Sequence, residues 1–378
     1  MATLRITPCW EMVNLTRSEF RLFRRAVLRP WLRPAALSED LGLSRSAVSQ
    51  LLRSLVRKTG FRVKGLLKYP LLDMTVVFGW AQSEDDTATL GKFTRWLQSR
   101  PGVYATARSA LTSMMDNRVY FEALLHRNRE LSWFLSQLRR FARKPYLLEV
   151  LFETSTGPQH SFYLADFDGS SWNINLSFRF EAAMSAARDY TDIFPESEDE
   201  PTSATVGSLT PADLATLTVL ENSYFATYSD AAAEIRLHGI PVPPGRTLRR
   251  RLTLLRKSLV RPYVFVRDIG LPERVIVSVQ DWSEGRRITR LLEGRFSQFP
   301  YARLLSGNQL SLFDLSLPAC VDVAHFAQSL VRLAGGDAQI CASVTEDRIV
   351  GKELLPVLRQ AVQLRIRQTS PLTARTAS

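Results

Sequence analysis

Between Leu41 and Leu72 the chain carries Arg45, Arg53, Arg57, Lys58, Arg62, Lys64 and Lys68 and contains no Asp or Glu. A second acid-free stretch runs from Ile235 to Arg267. It holds Arg236, Arg246, Arg249, Arg250, Arg251, Arg256, Lys257, Arg261 and Arg267. Cations gathered without carboxylates suit a polyanion, because each phosphate they neutralise releases condensed counterions. The formal net charge of +12 points the same way.

The first stretch also has the pattern of a helix that reads a groove. Val48, Leu51, Leu52 and Leu55 recur at helical spacing and make one apolar stripe. The opposite face carries Arg45, Ser46, Ser49, Gln50 and Arg53, with Ser44 as N-cap and Gly42 at the preceding turn. Short polar and forked cationic groups over an apolar back are what a major-groove helix requires. The expected DNA contacts are therefore Ser44, Arg45, Ser46, Ser49, Gln50, Arg53, Arg57 and Lys58, with Arg62 and Lys64 on a wing. In the second stretch they are Arg246, Thr247, Arg249, Arg250 and Arg251. The turn before these, residues 239–245, is longer and holds three prolines, so this helix is expected to grip backbone more than to read bases.

The elements that position these residues occur twice. Leu15-Thr16 and Leu209-Thr210 each open a helical pattern, Trp80 and Trp282 each end an apolar run, and Asn117 and Asn308 each begin an alternating stretch. The first set reads as helices 17–28, 35–41 and 44–58, a wing at 62–69, then strand 74–80, helix 88–99, strands 104–111 and 118–126, helix 131–142 and strand 146–153. The second reads as helices 211–221, 229–237 and 246–259, a wing at 263–268, then strand 274–282, helix 286–296, strands 302–305 and 309–315, helix 323–334 and strand 338–345. The fold class is α+β, with two tandem units. Each unit is a winged helix-turn-helix followed by a ferredoxin-like βαββαβ domain.

The expected boundaries are 15–72 and 73–190 for the first unit, the latter including an extra hairpin around Asp168-Gly169. The acidic, Pro/Ser/Thr-rich segment 191–208 reads as a linker. Residues 209–270 and 271–350 form the second unit, and 351–378 a C-terminal helix and tail.

Other chemistries are weakly represented. There is no Gly-rich phosphate loop, no His-x-x-x-His pair and no Gly-x-Ser-x-Gly elbow. Cys9, Cys320 and Cys341 lie far apart, lack metal-ligand spacing and read as buried free thiols in a reducing compartment. No apolar run is long enough to span a bilayer and the start lacks an apolar leader core, so the expected location is cytoplasmic, away from membranes. No metal or cofactor is expected.

Residues 37–55, with Leu41-Gly42-Leu43-Ser44 and Val48 ahead of a basic helix, resemble the helix-turn-helix of Lrp/AsnC (leucine-responsive) regulators. The βαββαβ order after them is similar to the amino-acid-sensing domain of that family. The resemblance implies a non-enzymatic regulator that binds double-stranded DNA and senses a small effector such as an amino acid. That effector would lie near Met115, Asp116, Asn117, Ser306, Gly307 and Asn308, which as residue types are also plain turn formers. Ordinary members pair between chains, so two units in one chain imply an internal pseudo-dimer, with a homodimer also open to it.

Two alternatives remain. Siroheme decarboxylases resemble the same regulators, and some are duplicated in one chain. They use histidines near the third strand, whereas residues 110–120 and 304–312 contain none, and His126, His160, His238 and His325 are scattered. The other alternative is a protein-binding module with inactive helix-turn-helix units.

Overall fold

The structure is a computed structural model that describes residues 13–83, 87–112, 117–127, 129–176, 209–267, 269–334, 336, 338–345 and 354–369. It opens with three helices, Arg17–Leu28 (α1), Pro34–Leu41 (α2) and Arg45–Thr59 (α3). Thr16 and Glu19 cap α1 reciprocally, each side chain accepting from the other's backbone N–H. Gly42 ends α2 at φ 65°, a conformation glycine adopts without steric cost, and Ser44 then caps α3. Leu22, Phe23, Leu37, Val48 and Leu55 bury the common core of the three helices.

Strand Arg62–Leu67 (β1) follows, then Met74–Ser83 (β2), helix Thr87–Ser99 (α4), strands Val103–Thr112 (β3) and Asn117–His126 (β4), helix Arg129–Phe141 (α5), and strands Glu149–Ser155 (β5) and Gln159–Phe162 (β6). Beyond the acidic segment come helices Pro211–Asn222 (α6), Tyr228–Leu237 (α7) and Gly245–Leu259 (α8) and strand Val260–Phe265 (β7). Strand Glu273–Asp281 (β8), helix Arg287–Arg295 (α9), strands Tyr301–Ser306 (β9) and Leu310–Leu317 (β10), helix Val323–Ala334 (α10), strand Ala338–Thr345 (β11) and helix Leu354–Thr369 (α11) complete the described chain.

Nine strands form one antiparallel sheet in the order β5-β2-β4-β3-β11-β8-β10-β9-β6. In each set of four, β5-β2-β4-β3 and β11-β8-β10-β9, the first and third strands in sequence are central and the second and fourth lie outside them. This is the strand arrangement of a βαββαβ motif. Side chains alternate between faces along a strand. On one face Val77, Val119 and Phe121 pack under α4 and α5, and on the equivalent face Val275, Val277 and Phe313 pack under α9 and α10. The other faces meet each other: Val76, Phe78, Trp80 and Tyr120 share a core with Ile276, Leu305 and Leu312.

Neither basic stretch folds into a wing hairpin of its own. Instead β1 and β7 pair antiparallel with each other, Arg62 opposite Phe265 and Lys64 opposite Tyr263. The cause is the apolar alternation of two short strands. Leu67, Val260 and Val264 are buried against the helices, and Gly65 lets the Leu220 carbonyl of α6 sit on the ribbon. The expected hairpin around Asp168-Gly169 is a small turn. Asp168 accepts from the backbone N–H groups of Ser170 and Ser171, and Phe167 bridges Trp172. Before it, β6 joins the main sheet beside β9.

Cys341 is buried, but Cys320 is exposed, contrary to expectation, because it lies in the turn after β10. Cys9 and the segment 191–208 lie outside the described residues. No helix among the described residues is long and apolar enough to cross a membrane.

Candidate active site

The ribbon β1–β7 roofs a cavity of about 430 Å³. Strand alternation turns Arg62, Lys64 and Leu66 of β1, and Tyr263, Phe265 and Arg267 on the β7 side, toward it. Tyr104 and Thr106 of β3, Arg274 of β8, and Tyr301 and Arg303 of β9 line it from the main sheet. His160 of β6 and Tyr69 contribute from the side, Glu221 from the end of α6, and Leu354 and Leu355 from the start of α11.

The lining is cationic and aromatic. Arg62, Lys64, Arg267, Arg274 and Arg303 face one carboxylate, Glu221, among the described residues. Two of these arginines are held rigidly from behind. Arg274 donates through Nε and Nη2 to the two oxygens of Asp314, at 2.8 and 2.7 Å. Its Nη1 is buried and has no hydrogen-bond partner among the described residues. Arg303 forms a two-pronged ion pair with Glu122, which reaches across from β4 of the same sheet, and donates to the Tyr104 hydroxyl at 2.9 Å. Burial disfavours the charge on Arg303, but Glu122 outweighs it and the guanidinium stays charged. Burial raises the pKa of the Tyr69 and Tyr104 phenols well above the ordinary range, so both are neutral hydroxyls at pH 7.

The His160 imidazole stacks on Tyr263 with ring centroids 4.1 Å apart, and its Nδ1 lies 3.3 Å from the Tyr301 hydroxyl. His160 is the one imidazole among the described residues that line the cavity. The expectation that all four histidines are scattered away from a site therefore fails for His160, because β6 pairs with β9 and carries it to the cavity. The others lie elsewhere. His126 ends β4, His325 is exposed on α10, and His238 is buried with its Nδ1 2.8 Å from Gln363 of α11.

The chain has the fold of the siroheme decarboxylase NirDL. The two superpose with a TM-score of 0.52 at 11% identity, over 93% of this chain and 99% of that one. The same enzyme in co-complex with an iron-uroporphyrin III analogue matches with a TM-score of 0.51 at 11% identity, over 93% and 100%. A transcriptional regulatory protein of the AsnC family from Pyrococcus furiosus matches at 14% identity over 37% of this chain and 89% of that one, with a TM-score of 0.28. No family model matches the sequence, and no curated protein does. These findings correct the expectation of a sequence-specific DNA-binding transcriptional regulator without enzymatic activity. The matches that span the chain are to an enzyme.

The residues expected to touch DNA do not share one site. Ser44, Arg45, Ser46, Ser49, Gln50, Arg53, Arg57 and Lys58 are exposed on or beside α3, where Arg53 donates to the Ser49 carbonyl and Lys58 pairs with Glu19 at 2.7 Å. Arg246, Thr247, Arg249 and Arg250 are exposed on α8, and Arg249 lies over the Tyr228 ring. Arg251 is tied to Asp213, and Arg256 is buried, donating to the carbonyls of Tyr224 and Ala226. Arg62 and Lys64 face the cavity under the ribbon.

Of the expected effector positions, Met115 and Asp116 lie outside the described residues. Asn117 opens β4, Ser306 hydrogen-bonds Glu293, Gly307 packs against Glu153, and Asn308 is exposed. None of the described four lines the cavity. Sequence reasoning missed Tyr104, His160, Tyr263, Arg274, Tyr301 and Arg303. Tyr263 and Arg267 lie within the second acid-free stretch, and that was the available signal.

Proposed function

We propose that this chain is an enzyme of the siroheme decarboxylase type, acting on a polycarboxylated tetrapyrrole held beneath the β1–β7 ribbon. The observation that carries the reading is the cavity lining, with five cationic side chains facing a single carboxylate amid tyrosines, phenylalanine and histidine. A flat macrocycle fringed with carboxylates matches both properties, because guanidinium groups bind carboxylates in forked geometry and aromatic faces stack. Cavities of several hundred Å³ with a few convergent polar groups are the usual form of such sites. The likeness to a siroheme decarboxylase over nearly the whole chain supports the same reading.

Decarboxylation breaks the bond between a carboxylate and its side-chain carbon. Carbon dioxide leaves, the electron pair stays on that carbon, and one proton must replace the lost group. Arg274 and Arg303 fix carboxylates, the aromatic walls hold the ring plane, and His160, oriented by Tyr263 and Tyr301, supplies the proton. We further read the chain as two fused units, each a helix-turn-helix followed by a ferredoxin-like domain. On this reading the cavity lies between the units, and the helix-turn-helix strands serve as its roof.

The deciding experiment is incubation of the purified chain with siroheme under anaerobic conditions, followed by mass analysis. Products lighter by carbon dioxide are expected. Unchanged siroheme, together with no spectral sign of binding, overturns the reading.

A further inference from the structure

The cations of the cavity are unevenly placed. Arg62 and Lys64 come from β1, Arg267 from just after β7, and Arg274 and Arg303 from the main sheet. A further flank is built by the end of β1, the end of α6 and the start of α11. It contributes Leu66, Glu221, Asn222, Leu354 and Leu355, and no cation among the described residues. These pieces are neighbours, because α6 packs against both β1 and α11.

The flank is firmly held. Val357, Leu358 and Val362 of α11 are buried, and Leu66 and Leu354 pack on the same core. Arg359 donates through Nε and Nη2 to the two oxygens of Glu234 on α7, at 2.6 and 2.7 Å. Leu354 and Leu355 are thus half-buried in the first turn of an anchored helix and line the cavity from there. Leucine side chains offer a carboxylate no hydrogen bond, so a carboxylate pressed against them loses hydration without return. Glu221 is a negative charge on the same flank. After burial, that charge is what raises the pKa of the neighbouring Tyr69 phenol, and it repels a ligand carboxylate for the same reason.

We infer that this flank is a specificity-determining wall that refuses carboxylates, with Leu354 and Leu355 as its face, and that the ligand turns a carboxylate-free part of its rim toward it. This rests on the reading of the cavity as a polycarboxylate site and adds how the ring is oriented there. Loss of carbon dioxide from an acetate arm, with uptake of one proton, leaves a methyl group. A methyl fits against leucine and an acetate does not, so the wall discriminates by what it rejects. A partly decarboxylated ring is therefore seated with a methyl-bearing edge against α11, and the arms that still carry carboxylates go to the arginines.

The test is a pair of fluorescence titrations on the full chain. One uses metal-free uroporphyrin III, which carries an acetate and a propionate on every pyrrole, and the other coproporphyrin III, in which every acetate is a methyl. The quantity read is the ratio of the two affinities. Leu355→Lys offers the refused arm a partner and should shift that ratio toward uroporphyrin by about fivefold, the weight of one half-exposed ion pair. Leu355→Asp, a residue suited to the first turn of a helix, should shift it the other way. Added charge anywhere in the lining favours the more highly charged porphyrin to some degree, so Val56→Lys, on the α3 side of the cavity, is the control. If the Leu355 variants keep the parent's ratio, or Leu355→Lys moves it no further than Val56→Lys does, the wall is not selective and the inference falls while the polycarboxylate reading stands. If the parent binds neither porphyrin, that reading falls and takes the inference with it.

Discussion

The His160 ring lies nearly parallel to the Tyr263 ring, the two planes 14° apart. One residue comes from β6, just after the first βαββαβ segment, and the other from β7 in the second half. The stack thus joins the ribbon to the edge of the main sheet and fixes the imidazole plane over the cavity. If His160 supplies the proton, His160→Phe should keep the stack and lose the chemistry. Turnover of siroheme should fall by roughly 10²–10⁴-fold, with uroporphyrin affinity changed only slightly. Equal turnover in the variant would remove His160 from the mechanism.

Glu122 and Arg303 are each about one-tenth exposed and join β4 to β9 across the sheet. Removing one partner leaves the other buried and unpaired, which costs about 3–5 kcal/mol. Glu122→Gln should therefore lower the urea midpoint substantially. The double replacement Glu122→Leu with Arg303→Met should recover most of that loss, yet bind uroporphyrin more weakly than the parent. A double variant no more stable than Glu122→Gln alone would contradict the pairing.

Acid should weaken the packing of the three helices α1, α2 and α3 through Glu19. Burial raises the pKa of this carboxyl, but hydrogen bonds from Lys58, Ser54 and Thr16 prevail and lower it from 4.5 to about 2. A depressed pKa means the folded state favours the ionised form. The stabilisation is therefore complete above pH 4.5 and is lost as pH falls toward 2. Glu19→Gln should cost about 1–3 kcal/mol near neutrality and should flatten the fall in thermal stability between those two pH values. An acid profile identical to the parent's would show that Glu19 contributes nothing.

Gly65 sits where the ribbon rests on α6. A Cβ there would lie 2.4 Å from the Leu220 carbonyl and 2.4 Å from Val260 Cγ1. The backbone oxygen cannot swing aside, so Gly65→Ala must lift the ribbon. The expected cost is about 1–3 kcal/mol, accompanied by weaker uroporphyrin binding as Lys64 and Tyr263 shift. Unchanged melting and affinity would mean the ribbon is not held at that point.

The elements themselves were legible. The stripe of Val48, Leu51, Leu52 and Leu55 marked α3, because a helix facing a core repeats its apolar residues at the helical period, and the apolar run that ends at Trp80 marked β2, a strand buried on both faces. The pairing of β1 with β7 was not legible. Six-residue strands carry no label for a partner some two hundred positions away, and a basic strand beside a helix-turn-helix reads most simply as a wing. The site suffered the same way. Arg274 and Arg303 look like ordinary strand residues until Asp314 and Glu122 are seen behind them. The acid-free stretches suggested a polyanionic partner, but charge density alone does not distinguish a phosphate backbone from a ring of carboxylates.

The mixed parentage of the ribbon has a genetic corollary. Lys64 and Tyr263 face each other across it, one from each half of the chain. A gene truncated to either half would encode a roof of a single unpaired strand and only part of the cavity lining. Two half-length polypeptides would have to meet in equal numbers before the lining could be completed, and joining them end to end makes that stoichiometry automatic.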